Sequence, residues 1–158
     1  MLAIAVAGCA TTSHPHSAHP YEARPFEAAA AARPELETAL ERAKADGKLT
    51  LAVFGANWCH DSRALAGLLE TERFRALTDA HYEMVFVDVG TPQNGKGRNL
   101  ELGAELGVEG IEGTPTVIVI GRRGATLNVA TAKLWRDAAS RNPDAVYMEL
   151  FRFAQAGL

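Results

Sequence analysis

The stretch Phe54-Gly55-Ala56-Asn57-Trp58-Cys59-His60-Asp61-Ser62-Arg63 places a thiol where an apolar run ends and an amphipathic segment begins. A cysteine at the start of a helix lies beside backbone N–H groups that no intrahelical carbonyl accepts, at the positive end of the helix dipole. Both favour thiolate over thiol, and the thiolate is the nucleophile. His60 and Asp61 act on that sulfur in opposite directions. A protonated imidazole favours the anion and a carboxylate opposes it, although Asp61 also suits the first turn of a helix. Trp58 can cover the sulfur and contact a substrate, or pack over the helix start. The chemistry within reach is nucleophilic attack by one sulfur.

Other chemistries lack their residues. His81, Glu83 and Asp88 are close in sequence, but strand alternation divides them between faces and no metal-ligand spacing recurs, so no metal is expected. Gly95-Lys96-Gly97 has neither the spacing nor the following Ser or Thr of a phosphate-binding loop. The chain has 158 residues, 47% of them apolar, which suffices for one core and requires no second domain. Nineteen acidic and sixteen basic residues give a formal net charge of −3, with no basic field for nucleic acid.

The two cysteines, Cys9 and Cys59, have unlike surroundings and do not form a staple framework. Residues 1–8 are an uncharged apolar leader too short to span a bilayer, ending in small residues. Val6-Ala7-Gly8-Cys9 resembles the lipobox of bacterial lipoproteins, without a basic n-region before it. That resemblance implies a signal segment over 1–8, lipidation at Cys9, and a periplasmic protein held to the membrane only through that lipid. Residues 9–33 are rich in Thr, Ser, His, Pro and Ala, have no apolar period and read as a flexible tether. As a coil it would reach about 25–30 Å. His14, His16 and His19 lie within it, with no carboxylate or thiol to complete a metal shell.

The folded domain is expected over 34–158. Pro34 opens a helix whose Leu36, Ala39, Leu40 and Ala43 share a face, ended by Asp46-Gly47. Residues 49–54 form a buried strand. After Cys59 a helical stripe runs through Leu65, Leu68 and Leu69 and is extended by Phe74 and Leu77. A second buried strand covers 84–89, a polar loop 90–97, and a short helix 99–106. Residues 116–120 are the strongest strand, a turn at 121–124 leads to a weaker one over 126–129, and Asn142-Pro143 opens a last helix with Val146, Leu150, Phe151 and Ala154 on one face. This alternation predicts an α/β fold, a central mixed sheet of about four to five strands with helices on both faces.

Taken together, the order of elements, Trp58-Cys59 at a strand-to-helix turn, and Thr114-Pro115 just before the strand at 116–120 resemble the thioredoxin superfamily over roughly residues 34–158. The resemblance implies that Pro115 is cis and lies against Cys59, and that Thr114 and Pro115 offer a backbone edge to a substrate chain. From the residues alone, Pro115 could equally be a trans proline opening an edge strand. The chain departs from the family's Cys-x-x-Cys motif, reading Cys59-His60-Asp61-Ser62. A second thiol would release the substrate from a mixed disulfide. Ser62 cannot do so, and its hydroxyl can at most donate a hydrogen bond to the Cys59 thiolate. Val53 stands where many thioredoxins carry a buried acid, and 130–141, with Lys133, Trp135 and Arg136, reads as an insertion.

Two functions are compatible with these residues. One is a monothiol thiol–disulfide oxidoreductase using Cys59, Ser62, Trp58 and His60, with Thr114 and Pro115 binding protein disulfide or thiol substrates. It needs no cofactor, and glutathione or another external thiol would serve as co-substrate. The other is a redox-inert thioredoxin-fold module that binds a protein partner. A monomer is expected in either case.

Overall fold

Residues 49–55 are apolar or small throughout, and a strand of that kind has no face to give to water. In the computed structural model, which describes residues 21–28 and 31–156, all of them are buried. They form β1 (Leu49–Gly55), the centre of a three-stranded sheet. On one side lies β2 (Tyr82–Asp88), parallel to it. On the other lies β5 (Thr116–Ile120), antiparallel, with Phe54 opposite Thr116.

Strand alternation sends Leu49, Leu51 and Val53 to one face and Ala52 and Phe54 to the other. The first face packs on α2 (His60–Leu69), α3 (Glu72–His81) and α5 (Pro143–Ala156), through Leu65, Leu69, Phe74, Val146 and Leu150. The second packs on α1 (Ala32–Asp46) and α4 (Leu100–Glu105), through Leu36, Ala39 and Leu102. Helices therefore cover both faces, as expected. None of them is long and apolar enough to cross a membrane, among the described residues.

Several details differ from the expectation. The stripe from Leu65 to Leu77 is divided between two helices, because Thr71 takes extended dihedrals and its hydroxyl turns back to donate to the Leu68 carbonyl at 2.8 Å. The loop after β2 contains a small hairpin of β3 (Gly90–Thr91) and β4 (Lys96–Gly97). The expected strand over 126–129 is reduced to a bridge between Ile120 and Thr126, so the central sheet has three strands and not four or five.

Asn128 is the reason. Its buried side-chain amide accepts from Val119 N at 2.9 Å and donates to Val117 O at 2.8 Å. One side chain thus satisfies two of the β5 groups that a neighbouring strand would have paired, while Val119 O accepts from Leu127 N at 2.8 Å. Phe151, expected on the buried face of α5, is 36% exposed and stacks on Tyr147 instead.

The largest difference lies in the segment expected to be tether. Residues 21–28 run across the domain as a strap. Ala23 N donates to Arg63 O, and Phe26 is 2% exposed, its ring meeting Phe86 edge-on at 5.5 Å. Tyr21 and Ala23 pack on the same core cluster. The first described helix also begins two residues before Pro34, at Ala32. The leader over 1–8, Cys9 and the histidines at 14, 16 and 19 lie outside the described residues.

Two stability outcomes are expected from this packing. Phe26→Ala leaves a ring-sized void and should cost about 3–5 kcal/mol, read from the shift of the urea midpoint at constant m-value. Asn128→Ala leaves Val119 N and Val117 O unpaired in the interior and should cost about 2–4 kcal/mol by the same measurement.

Candidate functional site

The β1–β5 register builds the site. The pairing ends with Phe54 opposite Thr116, so the chain leaving β1 at Gly55 and the chain entering β5 at Pro115 lie at the same end of the sheet. Residues distant in sequence therefore meet just beyond the end of β1, where α2 starts. Cys59 occupies the position before the first helical residue, with extended dihedrals, φ −81° and ψ 123°. Its carbonyl accepts from Arg63 N at 3.1 Å, so the first turn of the helix closes on the cysteine itself.

The thiol is 8% exposed, and its Sγ donates to the Thr114 carbonyl at 3.4 Å. The Thr114–Pro115 bond is cis, not trans. Thr114 and Pro115 are both buried, and Thr116 Oγ1 donates to Gly113 O at 3.2 Å, securing the chain just before them. The structure thus brings Cys59 and Thr114 into contact.

Trp58 projects outward, 49% exposed, and its indole N–H donates to Gly90 O at 2.8 Å. Its orientation is fixed from the hairpin side of the molecule and its ring is open to solvent. His60 is more than half exposed, with Nδ1 3.6 Å from Glu22 Oε1. Asp61 faces away from any pairing with a cation: its Oδ1 accepts from Ala139 N at 2.9 Å and ties the 130–141 segment to the start of α2.

Ser62 is wholly buried, and its hydroxyl has no hydrogen-bond partner among the described residues. The reason is its surroundings. Were Gly55 to carry a Cβ, that atom would stand 2.8 Å from Ser62 Oγ and 2.5 Å from the Phe26 ring, so the hydroxyl is hemmed in by backbone and an aromatic edge. An unpaired buried hydroxyl is costly, and this one lies one helical turn from Cys59, on the same side of α2.

Several residues that hold the site were not among the candidates. Asn57 clamps the strap through both ends of its amide, accepting from Phe26 N at 3.2 Å and donating to Phe26 O at 2.8 Å. Arg63 donates to the Asn57 and Trp58 carbonyls, each at 3.1 Å, and pairs with Glu22 at 3.3 Å. The turn that carries Cys59 is therefore fastened from outside by residues 22–26. The signal available in the sequence was the pair of large aromatics, Tyr21 and Phe26, in a segment otherwise small and polar.

Among the described residues no group of three His, Cys, Asp or Glu side chains could hold a metal ion. A cavity of about 450 Å³ lies on the far side of Trp58, bordered by Phe26, Asn57, Asp88, Lys96 and Arg98. Two of these lining residues, Arg98 and the buried Asp88, form an ion pair 3.2 Å apart.

A strand-to-helix cysteine facing a cis-proline loop defines a thioredoxin-type site, and comparison with known proteins agrees. The thioredoxin-like family pattern matches residues 30–121, and the chain belongs to that family. The crystal structure of a disulphide isomerase from Xylella fastidiosa Temecula1 is similar over 82% of this chain and 96% of its own, with 33% sequence identity and a TM-score of 0.73. A solution structure of a thioredoxin from Thermus thermophilus shares the fold at 24% identity and a TM-score of 0.54, over 77% of this chain and 85% of its own. Among curated proteins there is no match.

The strap's fastening depends on pH in a definite direction. The hydrogen bond from Arg63 holds the Glu22 carboxyl below its ordinary value of 4.5, aided by the charges of Arg63, His60 and Arg24 against partial loss of hydration. A carboxyl lowered by folding stabilises the folded state above its unfolded value, and that contribution is lost as pH falls through the lower folded value. The native protein and Glu22→Gln should therefore differ in urea midpoint near neutral pH and converge only as pH falls below 4.5 and through the lower folded value. A gap of constant size across that range would show that the Glu22 charge contributes nothing.

Proposed function

We propose that this protein catalyses thiol–disulfide exchange through the single sulfur of Cys59, with an external thiol completing each turnover. The observation that carries the reading is the placing of Cys59 Sγ at the start of α2 against the Thr114 carbonyl, with a serine buried one turn further on. The Cys59 thiolate attacks one sulfur of a substrate disulfide. A Cys59–substrate disulfide forms and the other substrate sulfur leaves as thiolate. A second thiolate, from glutathione or a thiol of similar kind, then attacks the substrate sulfur and frees Cys59. Electrons balance across the two steps, and the protein returns to its starting state.

Ser62 offers no sulfur for the second step. The unpaired Ser62 hydroxyl, one helical turn from Cys59, would donate to the sulfur when the thiol is ionised and support the anion without resolving the intermediate. Trp58 and His60, both exposed beside the sulfur, would meet the substrate chain, and the edge at Thr114 and Pro115 would pair with it. Anchoring of the domain in the bacterial cell envelope through Cys9 is part of the same proposal and rests on Val6-Ala7-Gly8-Cys9.

The test compares the native protein, Cys59→Ala and Ser62→Cys with a peptide disulfide as substrate. The native protein should accumulate a mixed disulfide that persists until glutathione is added. Cys59→Ala should form none. Ser62→Cys should release the peptide unaided, with the mixed disulfide falling at least tenfold. If native protein and Cys59→Ala retain the peptide equally, the fold acts as a non-covalent binding module and the exchange reading fails.

A further inference from the structure

The segment 130–141 folds as two short 3₁₀ turns over the loop that leads into Thr114, and it places two cations there. Trp135, 1% exposed, anchors the first turn, Ala132–Trp135. In a 3₁₀ turn, side chains three residues apart eclipse, so Lys133 and Arg136 project along one line. Lys133 Nζ donates to Glu109 O at 3.0 Å. Arg136 lies flat on Gly113: a Cβ at that position would stand 2.6 Å from its Nε and 2.7 Å from its Cζ, closer than any side chain tolerates. A side chain at 113 would displace the guanidinium from the backbone there.

Arg136 is exposed, and its guanidinium makes no hydrogen bond or ion pair among the described residues. Asp137 beside it in sequence, and Glu109 and Glu112 on the loop it covers, are also exposed, and none of them pairs with it. The guanidinium thus packs on the Gly113 backbone through Cδ, Nε and Cζ while its terminal nitrogens stay without a partner, which suits capture of a carboxylate. Gly113 precedes Thr114, whose carbonyl lies 3.4 Å from Cys59 Sγ. Following that path, the guanidinium is at most about 15 Å from the sulfur, using standard backbone dimensions. An extended substrate advances about 3.3–3.6 Å per residue.

We propose that Arg136, with Lys133 beside it, forms a carboxylate-recognition site for polypeptide substrates that carry Asp or Glu two to four positions from the half-cystine attacked by Cys59. The proposal rests on the exchange reading above and names the substrate class for it.

The test uses three synthetic peptides, each with one cysteine activated as its 2-thiopyridyl disulfide and with Glu, Gln or Lys at those positions. Cys59 attacks the peptide sulfur, a Cys59–peptide disulfide forms and 2-thiopyridone leaves, so release can be followed without a resolving thiol. In native protein the Glu peptide should react about tenfold faster than the Lys peptide at low salt, a ratio that shrinks as salt screens the charges. Arg136→Gln should bring that ratio below about threefold, and Arg136→Lys should restore part of it. A native ratio near one, or a ratio that survives in Arg136→Gln combined with Lys133→Gln, overturns the recognition site and leaves exchange standing. Failure of all three peptides to release thiopyridone overturns both readings.

Discussion

A strand buried on both faces must be covered on both faces, and β1 imposes that requirement on the whole chain. Seven consecutive buried residues leave no solvent side, so α2, α3 and α5 are recruited to one face and α1 and α4 to the other. The same strand fixes the chemistry through its pairing. Because β5 runs antiparallel with Phe54 opposite Thr116, the loop before β5 and the helix after β1 emerge at the same end of the sheet. A slip of one residue would reverse which side chains face which layer, and it would also carry Thr114 away from Cys59. Core and site are therefore specified by one register.

The site is held from a second direction by side chains that take no part in the chemistry. Asn57 presents its amide to Phe26 as another strand would present a peptide group, and Arg63 gathers the Asn57 and Trp58 carbonyls with the Glu22 carboxylate. The Phe26 N–H and carbonyl, part-buried beside their own buried ring, find their partners in Asn57. The turn carrying Cys59 is short, and short turns move unless their backbone groups are engaged. Here the carbonyls before the cysteine and the one on it are all engaged.

Most of the core was legible because it follows simple periods. Leu36, Ala39 and Ala43 on α1, and the unbroken apolar runs of β1 and β5, need only the 3.6 and 2.0 repeats to be read. Cys59 and Thr114 were legible as well, since a thiol at a strand-to-helix junction and a Thr-Pro before a strand are visible as types and positions. What escaped depended on single side chains acting in place of regular structure. Asn128 substitutes for a strand, and Phe26 anchors a segment with no period at all. A long-range contact made by one residue leaves no pattern in its neighbours, so composition alone marked 21–28 as tether.

The strap also sets an order of assembly. Its partners are widely spread along the chain: Asn57, Arg63 and Phe86, and Arg98, whose guanidinium donates to Ala28 O across 70 residues of sequence. The strap precedes all of these partners in the chain, and the surface that receives it is complete only after the hairpin following β2 has been made. Until then Phe26 has no pocket and Asn57 no backbone to clamp. The turn that carries the reactive sulfur therefore acquires its outer fastening only once the chain from Asn57 to Arg98 is in place.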